Sequence, residues 1–150
     1  MADVGFYHVT HQSPLAALAR LMEKAHGQGL RALVRVAAAA RVKEVDDYLW
    51  THDPESFLPH GTARNEYPEL QPIYIAEGEA AAPNGATLLV LLDNVTPTAL
   101  EGFDRVLYLF DGRDDDQVAM ARAHWRDLKA QGHILKYWQQ QDGGGWSQAA

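Results

Sequence analysis

The order of short apolar runs and helical patterns predicts an α/β fold, a three-layer sandwich with helices on both faces of a largely parallel or mixed central sheet. Three observations carry this. Strand-sized and helix-sized segments alternate along the chain. Thr87–Leu92 and Val106–Phe110 are apolar almost without interruption, as in strands covered on both faces. The chain has 150 residues of which 47% are hydrophobic, enough for a core without staples.

Val4–Thr10 reads as the first strand. Ser13 and Pro14 then supply an N-cap and a proline at the first helical position, Leu15, Leu18 and Met22 recur at helical spacing, and Gly27 and Gly29 close the helix. Leu30–Ala37 is a second strand interrupted by Arg31 and Arg35, and Ala38–Trp50 a second helix with Val42, Val45 and Leu49 on one face. Thr51–Leu70 holds three prolines and little periodicity, so it reads as a long loop of the kind that carries function. Ile73–Ala76 is a short strand, followed by a turn-rich connection that ends at Pro83, Asn84 and Gly85. Between the two apolar strands, Thr96 and Pro97 predict a short helix that stops at Gly102. Residues 114 to 131 form the last long helix and His133–Trp138 a final edge strand. The expected organisation is one domain over 1–138 and a flexible polar tail over 139–150.

Composition removes several chemistries. Without cysteine there is no disulfide, thiolate metal site or cysteine nucleophile. Thirteen Lys and Arg against twenty Asp and Glu leave a net charge of −7, which disfavours direct wrapping of a phosphate backbone. No apolar run is long enough to span a bilayer and the first residues lack the pattern of a signal peptide, so the expected location is the cytoplasm. The Gly-x-Gly at Gly27 to Gly29 follows a helix rather than a strand and is not a dinucleotide loop. The seven histidines show no metal-ligand spacing, and His8 and His133 read as packed strand residues. Asp93 and Asp111 each follow an apolar strand and offer an enzymatic alternative, Mg²⁺-dependent phosphoryl transfer. Turn chemistry accounts for both without a metal.

The last helix is more informative. Val118, Ala121, Trp125 and Leu128 share one face, and Arg122, Arg126 and Lys129 recur on its border. An indole beside guanidinium groups suits a ligand that is both acidic and apolar, against the plainer reading of a core tryptophan beside a solvated basic face. A second feature is the run from Leu49 to His60, where Trp50, Phe57, Pro59 and His60 present aromatic and stiff groups suited to a protein partner, or folded back onto the sheet.

The same run, Leu-Trp-x3-Pro-Glu-Ser-Phe-Leu-Pro-His, resembles the chi subunit family of bacterial DNA polymerase III holoenzyme. The Phe6-Tyr7 strand, the Gln71-Pro72-Ile73 strand entry, the Leu107–Phe110 strand and Ala121-Arg122-x-x-Trp125-Arg126 fall in the family's order, over about residues 3 to 138. The resemblance implies a non-catalytic adaptor of the clamp-loader complex with no cofactor, metal or small-molecule substrate. It implies that Arg122, Trp125 and Arg126, with Val118 and Lys129 beside them, receive the acidic C-terminal tail of the single-stranded-DNA-binding protein, so that DNA is met only indirectly. It also implies that Trp50, Phe57, Pro59 and His60 face the psi subunit or an equivalent clamp-loader component. One departure stands out: Val118 occupies a place where relatives carry a further basic residue, and Lys129 offers partial compensation.

Overall fold

A computed structural model describes residues 2–52, 58–63, 67–79, 82–142 and 145–149. Seven strands form one sheet: β1 (Asp3–Val9), β2 (Ala32–Val36), β3 (Ile73–Glu77), β4 (Leu88–Leu91), β5 (Arg105–Asp111), β6 (Ile134–Gln140) and β7 (Trp146–Gln148). Their spatial order is β3-β2-β4-β5-β1-β6-β7, parallel throughout except for the β6–β7 pair. Helices α1 (Pro14–Gly27) and α2 (Ala39–Thr51) follow β1 and β2, and α3 (Asp115–Ala130) links β5 to β6.

The side chains of each strand alternate between two cores, one on each face. Tyr7, Val9, Val34, Ile75, Val90 and Leu109 pack with Leu18 and Met22 of α1 and with Val45 and Leu49 of α2. Phe6, Leu33, Leu89, Tyr108 and Phe110 pack on the opposite face, where Ala121 and Leu128 of α3 cover them. The three-layer sandwich is therefore as expected.

Local signals set the helix ends. The Ser13 hydroxyl accepts the Ala16 N–H and Pro14 opens α1. At the start of α3, the Asp114 carboxylate accepts the N–H groups of Asp116 and Gln117, with Asp115 and Asp116 in the first turn where the helix dipole favours acids. At its end Gly132 takes φ 86°, and the N–H groups of Gly132 and His133 donate to the carbonyls of Lys129 and Leu128. This is a Schellman closure, and it turns the chain directly into β6.

Two expectations are corrected. Residues 95–104 contain no helix. Arg35, buried in β2, donates to the carbonyls of Thr98 (2.8 Å) and Ala99 (3.2 Å), which ties that stretch across the sheet, with Ala99 in the left-handed region at φ 51°. The final strand is not an edge either. It runs on to Gln140, and β7 pairs with it antiparallel where a fraying tail was expected. Trp146 supplies the apolar anchor that the polar sequence around it lacks, meeting the Tyr7 ring edge-on at 5.0 Å.

Candidate functional site

Parallel pairing puts Tyr108, Phe6 and Tyr137 in register across β5, β1 and β6. Their rings lie on the α3 face. Phe6 stacks on Tyr108 at 4.5 Å between centroids, and Trp125 of α3 meets Phe6 edge-on at 5.2 Å and Tyr137 at 5.9 Å. α3 packs on β5 and β6, its Trp125 reaching Phe6 of β1, and leaves Tyr137 half-buried. Between helix and sheet lies a pocket of about 290 Å³, floored by Phe6 and Phe110 and walled by Val118, Trp125, Tyr137 and the stems of Arg122 and Arg126.

The sequence-derived cluster is thus largely assembled. Val118, Arg122, Trp125 and Arg126 all line the pocket, whereas Lys129, one turn further along α3, does not. Trp125 is half-buried, with Arg122 and Arg126 exposed beside it. Neither arginine has an acidic partner within ion-pair distance among the described residues. Both guanidinium groups therefore keep their charge for a ligand at the mouth of an apolar slot.

Beneath the pocket are two tyrosine–histidine pairs. Tyr108 Oη and His124 Nδ1 are 2.6 Å apart, and Asn94 Nδ2 donates to the same Oη at 2.8 Å. The Tyr108 proton is therefore directed to His124, whose Nδ1 must be bare. Burial pushes the Tyr108 hydroxyl up to about 12 and holds His124 below the ordinary histidine range. Tyr137 Oη and His8 Nδ1 are likewise 2.6 Å apart, with the His8 ring stacked on Phe110 at 5.1 Å. Burial is the main cause lowering the His8 pKa; the Arg122 charge adds to it, while a backbone hydrogen bond at Gly112 and the Asp111 carboxylate oppose it. Gly112 lies so close to His8 that a Cβ there would collide with the imidazole. Phe6, Phe110, Tyr137 and His8 were not singled out as site residues, and only the sheet register unites them.

The second surface is partly described. Phe57 lies outside the described residues. Trp50 is 51% exposed at the end of α2, its ring 4.6 Å from that of His60. His60 itself is buried, with Nδ1 2.6 Å from the Leu58 carbonyl and Nε2 3.2 Å from the Asp46 carboxylate. It fastens the loop to α2 and seats Trp50, and Pro59 beside it is half-buried.

The two aspartates of the enzymatic alternative are engaged elsewhere. Asp93 accepts from Arg41 Nε at 3.0 Å and sits with Asn94 in a left-handed turn, φ 58° and 54°. Asp111 accepts from the side chain and backbone N–H of Arg113. Among the described residues no three His, Cys, Asp or Glu side chains gather as a metal site, and no helix is long and apolar enough to cross a membrane.

Residues 1–136 match the family model "DNA polymerase III chi subunit, HolC". The chain is 32% identical over 139 residues to the DNA polymerase III subunit chi of Pseudomonas aeruginosa, covering 91% of this chain and 95% of that one. It is 30% identical over 92 residues to the "Probable DNA polymerase III subunit chi" of Rickettsia prowazekii, covering 61% of this chain and 55% of the relative. Identity to the Haemophilus influenzae chi subunit is 28% over 107 residues, 71% of this chain and 74% of that one. The crystal structure of T4 UvsW superposes with a TM-score of 0.65 at 8% identity, over 92% of this chain and 41% of UvsW, a similarity of fold alone.

Proposed function

The chain belongs to the DNA polymerase III chi subunit family, and from that premise we propose that it is a non-catalytic adaptor whose α3 pocket docks the acidic C-terminal tail of the single-stranded-DNA-binding protein. One observation carries the reading: an aromatic-floored pocket of about 290 Å³ is rimmed by two arginines without acidic partners among the described residues. An apolar end residue would fill the slot beside Trp125, and tail carboxylates would meet Arg122 and Arg126 in charge-assisted hydrogen bonds. With a net charge of −7 the rest of the protein repels nucleic acid, so DNA is reached through the protein that coats it. The exposed Trp50 and adjacent Pro59 form the surface proposed for psi or an equivalent clamp-loader component, with His60 behind them as support.

Calorimetric titration with a peptide of the host's single-stranded-DNA-binding protein tail tests this. Saturable binding should weaken as salt rises, because exposed charge pairs are screened. Arg126→Ala and Trp125→Ala should each weaken it by about tenfold while the fold is retained. No binding at low salt, or unchanged affinity in both variants, would remove the site.

A further inference from the structure

The pocket's far wall is built from residues that neither the helix pattern nor the family match assigns. Tyr137 stands opposite Trp125, at 71° to it, and meets Phe110 at 62°. It is half-buried on β6, against which α3 packs, and the rings of Trp125 and Phe110 hold the body of its side chain. Its hydroxyl end is fixed separately, 2.6 Å from His8 Nδ1. His8 in turn has no freedom. Its ring is stacked on Phe110, and Gly112 closes over it with no space for a side chain.

We propose that Tyr137 is the specificity-determining wall of the pocket and that His8 is its positioning residue, the hydrogen bond between them fixing the slot's width for a large apolar end residue. The inference rests on the docking reading above and deepens it. A wall held at a fixed distance rewards a side chain that fills the slot and gains nothing from one that does not, which is how a rigid pocket discriminates. The charged groups facing His8 are Arg122 from α3 and Asp111 at the end of β5; Tyr137 is its titratable neighbour on β6. A neutral imidazole accepts the Tyr137 proton, and burial favours that neutral form.

The test uses two synthetic tail peptides, one with the natural end residue and one with alanine in its place, on the full chain and three variants. The wild type should prefer the natural peptide. Tyr137→Phe and His8→Ala should lose about three- to tenfold for the natural peptide and little for the alanine one, so the preference itself shrinks. His8→Asn, whose amide can stand where Nδ1 does, should restore the preference. Variants that bind and discriminate as the wild type does would overturn this inference and leave the docking reading intact. Loss in His8→Ala without rescue by His8→Asn would also overturn it, by making His8 a packing residue only. Absence of wild-type binding to either peptide would bring down the docking reading, and this inference with it.

Discussion

Two tyrosine–histidine pairs of the same chemistry and the same 2.6 Å length lie on one face of the sheet. Tyr108 of β5 and His124 of α3 are both buried where helix and sheet meet, and Asn94 completes their hydrogen bonding. Tyr137 and His8 are each only half-buried, and Tyr137 lines the pocket. Depth of burial separates the two. A polar pair sealed from water has no substitute partner, so losing one member leaves the other unsatisfied at the full desolvation cost. A pair at the rim can turn to water, so its loss costs little stability and shows instead in the shape of the wall it holds. The same bond is structural in one place and, on our proposal, functional a few ångströms away.

The largest expected effect separates the pairs by stability. Tyr108→Phe strands the bare His124 Nδ1 and one Asn94 N–H, and should destabilise the fold by about 1–3 kcal/mol. In a chain of this length that is a fall in Tm of roughly 2–4 °C for each kcal/mol. Tyr137→Phe should stay within about 1 kcal/mol of the wild type, since its histidine can reach solvent. Thermal melts of both variants measure this, and equal losses would break the comparison.

Acid should sharpen it next. The folded-state pKa of His124 lies below the ordinary value of 6.5, because burial disfavours the imidazolium. The unfolded chain therefore takes up the proton first. The contribution is complete above about pH 6.5 and drains away as the pH falls towards the folded-state value. Urea midpoints at pH 7.5 and 5.5 should fall with acid in the wild type and fall less in His124→Gln. His8 is shifted in the same direction and adds to the slope.

How far the sequence reveals these features follows from the range over which each is encoded. Val118, Arg122, Trp125 and Arg126 were legible because helical spacing places them together within nine residues of local sequence, bounded by the Asp114 cap. Tyr137, His8 and Phe110 were not, because parallel pairing of β5, β1 and β6 brings them together from opposite ends of the chain and no local pattern gives that register. Thr96 and Pro97 have the form of a helix start, but the carbonyls that follow go to Arg35 from across the sheet. Trp146 alone, in a polar stretch, gave no periodic signal for a strand. Lys129 shows the opposite failure: the spacing that grouped it with the arginines says nothing of where the pocket ends.

The smallest effect reads the rim pair directly. Among the charges acting on His8, Arg122 disfavours its imidazolium and Asp111 favours it, both weaker than burial. Arg122→Gln should therefore move the His8 titration upward by a small amount in a proton NMR pH series. His124, whose charged neighbour is Asp127, should not move. An acidic peptide in the pocket neutralises Arg122 from the other side and must act in the same sense, raising the His8 midpoint alone. A peptide that binds yet shifts His8 and His124 alike, or neither, would mean that it sits elsewhere on the surface and that the two pairs do not differ as their depths of burial imply.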